Sequence, residues 1–105
     1  MTVARLRPEG ATEPDGRVVL TLYVAGRAPA SARAIANLNA LIQERRLVVD
    51  LTIVDVLETP GAALLERILV TPTLMKTFPA PHTRVIGDLS DKKILLQGLG
   101  LPETI

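Results

Sequence analysis

The acid–base and metal chemistry open to this 105-residue sequence would rest on one histidine and a few carboxylates: His82, Asp50, Asp55, Asp88 and Asp91. A catalytic histidine needs a nucleophile or a carboxylate within reach, and a metal ion needs several ligands. His82 lies in a predicted proline-rich loop, and the sequence shows neither constellation around it. Asp88 and Asp91 flank Ser90 and are better explained as turn and helix-cap residues, and Asp50 as a residue on the exposed face of a strand. The sequence therefore predicts no catalytic site and no metal site.

Composition excludes further classes of function. The chain has no cysteine, which removes disulfides, thiol chemistry and cysteine-based metal sites. Its only aromatic residues, Tyr23 and Phe78, cannot form the stacking platforms on which single-stranded nucleic acids bind. A formal net charge of +1 favours neither a phosphate-coating surface nor an acidic tail. We therefore expect no cofactor and no nucleic-acid partner.

The distribution of apolar residues predicts one domain after a polar extension. Residues 1–16 are rich in Pro, Gly, Glu and Thr and are expected to be disordered, whereas residues 17–105 are expected to form a single domain. No apolar run resembles a signal peptide or approaches the ~20 residues of a membrane span. We expect a cytoplasmic protein without a membrane partner.

The periodicity of the apolar residues predicts an α/β domain with the element order β-α-β-α-β-β-α. The stretch RVVLTLYVA (17–25) is apolar on both alternating faces, as expected of a central strand. The other predicted elements are a helix over 31–46, a strand over 47–56, a helix from Thr59 to Leu69, strands over 73–77 and 84–89, and a last helix capped at Ser90-Asp91. The residues expected to face inward from the last two helices are Leu64, Leu65 and Ile68, then Ile94, Leu95 and Leu99.

This element order is the thioredoxin arrangement, and Pro72 stands where thioredoxin-like proteins keep a proline at the entry to the third strand. The resemblance implies a cis peptide bond between Thr71 and Pro72, which costs only about 0.5–1 kcal/mol for a bond to proline. Thioredoxins carry their redox cysteines in the turn that corresponds to GRAPAS (26–31), and none is present here. Thiol–disulfide exchange is therefore excluded.

Four stretches closely resemble the KaiB family of circadian clock proteins. They are LTLYVAGRAPAS (20–31), VDLTIVDVLETP (49–60), ERILVTPTL (66–74) and RVIGDLSDKKILLQGL (84–99). The motifs LYVAG, ILVTPTL and IGDLSD are specific to the family in this order and spacing. The sensor domain of the clock histidine kinase SasA shares much of the pattern, but we expect a chain that ends at Ile105 without a kinase module to be KaiB-like.

The resemblance implies a protein without enzymatic activity that binds the N-terminal ATPase ring of KaiC, with KaiA and clock histidine kinases as further partners. It also implies two folds that share the first β-α-β unit. A resting form of order β-α-β-β-α-α-β assembles into homo-tetramers, whereas a monomeric thioredoxin-like form binds KaiC. Slow conversion between them would delay the complex and modulate the phosphorylation cycle of KaiC, as a timer requires.

Three arginines match basic positions of the family and are the predicted partner contacts: Arg33, Arg67 and Arg84. Arg67 precedes ILVTPTL, where relatives carry a lysine that contributes to KaiC binding; arginine keeps the charge but not the donor geometry. Without the resemblance, a solvated surface is the ordinary interpretation of all three. Thr52 and Gly100 replace a lysine and an aspartate of the relatives, so the affinity of those relatives does not transfer to this chain.

The residues predicted to take part in fold switching are Pro72, Pro79, Pro81, Gly98 and Gly100. Isomerisation of a bond to proline takes tens to hundreds of seconds unassisted, and our hypothesis is that such a step limits exchange between the two folds. The stretch KKILLQGLGL (92–101) is compatible with a short helix and with a strand interrupted by glycine. Two packings within a few kcal/mol of each other are therefore expected.

Two alternatives stay open at this point. One is a degenerate thioredoxin-like or glutathione-binding protein that uses the backbone at Pro72 to hold a thiol peptide. The other is a relative of the SasA sensor domain that acts on a histidine kinase. The absence of cysteine argues against catalysis by the first. A gene for a KaiC-like ATPase next to the gene for this chain would distinguish the KaiB-like interpretation from these alternatives.

Overall fold

A computed structural model describes residues 17–102 of the chain. The elements in chain order are β1 (Arg17–Val24), α1 (Pro29–Arg45), β2 (Val48–Asp55), α2 (Pro60–Leu65), β3 (Thr73–Phe78), β4 (Thr83–Ile86) and α3 (Lys92–Leu99). This is the order predicted from the sequence. The predicted extension, residues 1–16, lies outside the described residues. No helix within residues 17–102 is both long and apolar enough to cross a bilayer.

The four strands form one sheet in the order β2-β1-β3-β4. Strand β1 pairs in parallel with β2 and antiparallel with β3, and β4 pairs antiparallel with β3 at the outer edge. A parallel neighbour requires a crossover connection, which α1 supplies between β1 and β2. Strand β1 is thus central, as its two apolar faces predict, and the arrangement is the expected thioredoxin-like one.

The core lies between one face of the sheet and the helices α1 and α3. Alternate residues of β1 point into it because successive side chains of a strand lie on opposite faces, and Leu20 and Leu22 are 1% and 0% exposed. Other buried members come from both helices and from β3 and β4: Ala34, Leu38, Leu41, Leu74, Val85, Leu95, Leu96 and Leu99. Burial of a large aliphatic side chain contributes about 1.5–3 kcal/mol, so this layer is the main source of hydrophobic stabilisation.

Helix α2 is shorter than predicted and buries none of its residues. It ends at Leu65 rather than at Leu69, and Leu64 and Leu65 are 78% and 83% exposed. Ile68 is only half-buried, so the predicted inward stripe of this helix is wrong. A helix of this length is not stable by itself and depends on the contacts at its ends.

Helix α3 begins as predicted, with Asp91 as the N-cap residue whose carboxylate accepts the Ile94 amide at 3.2 Å. Ile94 was expected to face inward, but its side chain is 51% exposed. Leu96 is buried together with Leu95 and Leu99 instead. The apolar stripe is therefore rotated by one residue from the predicted one.

Strand β4 is also shorter than predicted. It ends at Ile86 rather than at Leu89. The cause is the backbone of the following turn, because Gly87 and Leu89 have positive φ values of 116° and 63° that a strand does not accommodate. This turn leads the chain from the sheet edge into α3.

Asp88 ties the turn after β4 to helix α1. Its carboxylate accepts hydrogen bonds from the Arg33 guanidinium at 2.9 Å and from the Ser90 backbone amide at 3.0 Å. The side-chain amide of Asn37 donates to its carbonyl oxygen at 2.9 Å. The hydrogen bonds to the charged form, that from Arg33 above all, lower the pKa of Asp88 to about 2.

Between Arg17 and Pro102, three peptide bonds are cis: Thr71–Pro72, Phe78–Pro79 and Ala80–Pro81. The first is the one that the thioredoxin-like resemblance implies. Pro72 is buried at the start of β3, and its carbonyl oxygen accepts the Gly87 amide at 2.9 Å. This hydrogen bond joins the entry of β3 to the exit of β4.

Helix α3 packs closely on β4 at Gly98. A Cβ atom at this position would overlap Cγ2 of Val85 on the sheet. The carbonyl oxygen of Gly98 also accepts the Thr83 hydroxyl at 2.6 Å. Gly100, with a φ of 74°, ends the helix in the left-handed conformation, which glycine adopts without steric cost. One glycine thus permits close packing and the other terminates the helix.

We predict that Gly98→Ala lowers the free energy of unfolding in the native background and raises it in a Val85→Ala background. Alanine gains roughly 1 kcal/mol of helix propensity over glycine, but its methyl group collides with Val85 unless that side chain is shortened. Urea unfolding of both single variants and the double variant measures the coupling. Effects that add within about 0.5 kcal/mol would contradict the close contact.

We predict that Arg33→Ala raises the pKa of Asp88 from about 2 toward its ordinary value of 3.8. Because the pKa is lower in the folded state, the ionised carboxylate stabilises the fold above about pH 4, and this stabilisation is lost as the pH falls toward 2. The carboxyl-carbon chemical shift of Asp88 reports the titration. Arg27→Ala, which removes an exposed arginine before α1, is the matched control. An unchanged midpoint in Arg33→Ala would refute the assignment.

Candidate functional site

A shallow groove with mainly apolar walls lies between the loop after α2 and strand β4. The residues that line it define what we call the α2 groove: Arg67, Ile68, Leu69, Val70, Thr73, Arg84 and Ile86. Three of its apolar side chains lie largely in solvent, since Leu69, Val70 and Ile86 are 91%, 50% and 64% exposed. A contiguous apolar patch on a surface marks an interaction site far more often than scattered exposed residues do.

A left-handed residue ends α2 and turns the following apolar run into solvent. Arg67 has a φ of 56°, a conformation that costs a residue with a side chain roughly 1–2 kcal/mol. Its amide donates to the carbonyl oxygen of Leu64 at 3.1 Å, and the Ile68 amide donates to that of Ala63 at 2.9 Å. Helices commonly end with this pattern of hydrogen bonds. The reversal leaves Leu69 outside the helix and exposed.

Arg84 holds this turn from the neighbouring strand β4. Its guanidinium donates to the carbonyl oxygens of Glu66 at 2.5 Å and Arg67 at 3.3 Å. Carbonyl groups at the C-terminal end of a helix carry partial negative charge, which a cation stabilises. Two of the three predicted partner-contact arginines, Arg67 and Arg84, are thus adjacent in the structure.

The third predicted contact, Arg33, lies on the other side of the sheet. It belongs to α1 and forms its ion pair with Asp88. Arg84 precedes the buried core residue Val85 in β4, and alternation along a strand directs its side chain away from the layer that holds α1. The structure therefore divides the predicted arginines between two faces.

The electrostatics of the groove are those of an apolar surface with a basic border. Its lining contains two arginines and no carboxylate. Tyr23, on β1, is 4% exposed, and burial raises the pKa of its hydroxyl, as does the Glu66 carboxylate, whereas Arg84 opposes the rise. The phenol is therefore neutral at physiological pH. A partner that presents apolar side chains bordered by carboxylates would be complementary to this groove.

The carboxylates considered for chemistry have structural partners instead. Asp55 accepts the amides of Gly26 at 3.0 Å and Leu57 at 2.9 Å, and so joins the end of β2 to the turn after β1. Asp50 pairs with Arg17 at 3.7 Å on the adjacent strand. Within residues 17–102, no three histidine or carboxylate side chains are grouped to hold a metal ion.

The predicted fold-switch residues lie in the half of the chain after α2. Pro72 enters β3, Pro79 and Pro81 lie in the exposed connection between β3 and β4, and Gly98 and Gly100 lie at the C-terminal end of α3. They share the segment of the chain after α2, and their role in fold switching stays a prediction.

Sequence reasoning missed the exposed apolar residues of the groove. The apolar periodicity places Leu69 at the end of a helix and Ile86 in the middle of a longer strand. The available signal was Pro72, because a proline ends helical structure at or before the preceding residue. That rule removes the last residues of the apolar run from α2, but it does not say whether the sheet covers them.

Solved structures agree with the fold. The N-terminal domain of Synechococcus elongatus SasA is similar with a TM-score of 0.67 and 27% identity, over 98% of this chain and 99% of that chain. Mitochondrial thioredoxin 3 from Saccharomyces cerevisiae has a TM-score of 0.65 and 20% identity, over 79% of this chain and 76% of that chain. The second likeness shows the thioredoxin-like fold alone.

Sequence comparison identifies the family. The model of the KaiB domain matches residues 21–101. The circadian clock oscillator protein KaiB of Cyanothece sp. is 49% identical over 84 residues, which are 79% of this chain and 80% of that protein. The protein of the same name from Nostoc punctiforme is 50% identical over 84 residues, 79% of this chain and 81% of its own. The chain belongs to the KaiB family of circadian clock proteins.

Proposed function

We propose that this protein is a non-enzymatic clock component that binds a KaiC-like ATPase ring through the α2 groove and thereby modulates the phosphorylation cycle of the ring. The observation that carries the proposal is the groove itself, in which Leu69 is 91% exposed beside Arg67 and Arg84. Membership of the KaiB family supports a clock protein as the partner.

The form of the groove favours a protein partner over a small ligand. Sites for small molecules are enclosed and bury most of the ligand, whereas this groove is shallow and opens along the edge of the sheet. Burying Leu69 and Ile86 against a partner would contribute about 1.5–3 kcal/mol each. Arg67 at the border would set the orientation and the rate of association with an acidic surface.

The thioredoxin-like fold is proposed as the state that binds the ring. The resting state would be the tetrameric fold β-α-β-β-α-α-β, in which the half of the chain after α2 is rebuilt. The likeness to the SasA N-terminal domain, with a TM-score of 0.67 over 98% of this chain, supports the thioredoxin-like fold as a stable state of the chain. When the competent fold is minor, apparent affinity falls in proportion to its population. KaiA and clock histidine kinases are the further partners proposed.

A second candidate function is that of a sensor module related to SasA, which would act on a histidine kinase. The likeness to the SasA N-terminal domain covers 98% of this chain and favours it. The identity of 49% to KaiB of Cyanothece sp. favours the first candidate. If the chain binds a KaiC-like ring and does not change the activity of a histidine kinase, the first candidate is favoured over the second.

We predict that Arg67→Glu and Leu69→Ser each weaken binding to a cognate KaiC-like ring by at least about tenfold, because one reverses the charge and the other removes the apolar anchor. The measurement is size-exclusion chromatography with the ring and nucleotide after long incubation. Arg27→Glu, which makes the same charge change in a turn before α1, is the control and should bind as the native chain does. Failure of the ring to retain the native chain in any nucleotide state would refute the proposed function.

We predict that Gly100→Val weakens apparent affinity for the ring by about tenfold by depopulating the thioredoxin-like fold. A φ of 74° costs a branched residue about 1–2 kcal/mol, and valine favours the strand that the alternative packing requires. Amide spectra of the isolated chain report the two folds. Gln97→Val, on the exposed side of the same helix, is the control. Equal spectra and equal affinity for both variants would count against switching at this position.

A further inference from the structure

We infer that Arg84 is a positioning residue, which fixes the turn after α2 from strand β4. The inference rests on the proposed function, because it concerns how the α2 groove obtains its shape. It separates the roles of two adjacent arginines that the sequence pattern treats alike.

The guanidinium of Arg84 has the geometry of a group that holds the backbone. It donates to two consecutive carbonyl oxygens, those of Glu66 and Arg67, and so acts as a fork on the backbone. Both carbonyl groups lie just beyond Leu65, the last residue of α2, where the helix no longer supplies donors. The planar fork of arginine suits a pair of acceptors in a way that an ammonium group does not.

The turn at Arg67 needs hydrogen bonds from outside α2 to hold it in place. Arg67 is held at a φ of 56°, which a residue with a side chain adopts at a cost. Helix α2, which precedes the turn, has no buried residue that would anchor it to the sheet. The hydrogen bonds from Arg84 connect this strained segment to β4, which is paired along its length with β3.

The turn after α2 also sets the position of an apolar wall of the groove. Leu69 follows the turn by two residues and is the most exposed apolar side chain of the groove, at 91%. Ile86 lies on the same strand as Arg84 and forms the opposite wall. The Arg84 guanidinium therefore fixes the turn and, with it, the spacing between the two apolar walls. Its positive charge is directed at the backbone carbonyl groups.

The test is hydrogen–deuterium exchange of the isolated full-length chain, without any ring. In Arg84→Lys we expect the amides of Arg67 and Ile68 to exchange about tenfold faster, because an ammonium group cannot maintain both hydrogen bonds. Core amides such as that of Leu38 should keep their rates, which shows that the variant is folded. Arg27→Lys is the matched control and should leave every rate unchanged. Native exchange rates at both turn amides in Arg84→Lys would overturn the inference.

A second measurement tests the link to backbone strain. In an Arg67→Gly background, the same Arg84→Lys change should accelerate exchange of the Ile68 amide by less than about threefold, since glycine takes a positive φ without cost. An equal acceleration in both backgrounds would show that the fork does not support the strained residue. Ring binding is absent from both measurements, so their outcome is independent of whether the proposed partner is correct.

Discussion

Helices α1 and α3 cover one face of the sheet, and this unequal covering is the constraint on which the rest of the molecule depends. The parallel pairing of β1 and β2 requires a crossover, and α1 supplies it on the same side as α3. The apolar face of α1 and the buried leucines of α3 therefore pack together and against β1. The opposite side carries the short helix Pro60–Leu65, none of whose own residues is buried, although Tyr23 and Met75 on that face of the sheet are buried. The exposed groove follows directly from that division.

Regular parts of the fold were predictable because local signals and packing agree there. Strand β1 is apolar on both faces and is central, and the start of α3 carries a carboxylate at its N-cap. The errors lie where tertiary context decides. Leu64 and Leu65 have helical spacing, but spacing does not reveal whether a surface exists to receive them. Whether the buried side of α3 includes Ile94 or Leu96 depends on a small rotation of the helix about its own axis. An apolar pattern over two turns does not fix that rotation.

The candidate site was predictable only in part, for a related reason. The family resemblance indicates Arg67 and Arg84 through their positions beside the motifs ILVTPTL and IGDLSD, and the structure brings the two together. It could not indicate that one guanidinium binds backbone carbonyls and the other borders an apolar groove. That distinction depends on the left-handed turn at Arg67, which no sequence rule assigns to arginine.

The exposed position of Leu69 has a consequence for the amounts in which the protein is made. An apolar groove that lies open in this fold attracts other apolar surfaces, so copies in this fold are prone to unspecific clustering. Synthesis in large amounts would therefore favour association between copies of the chain through the groove.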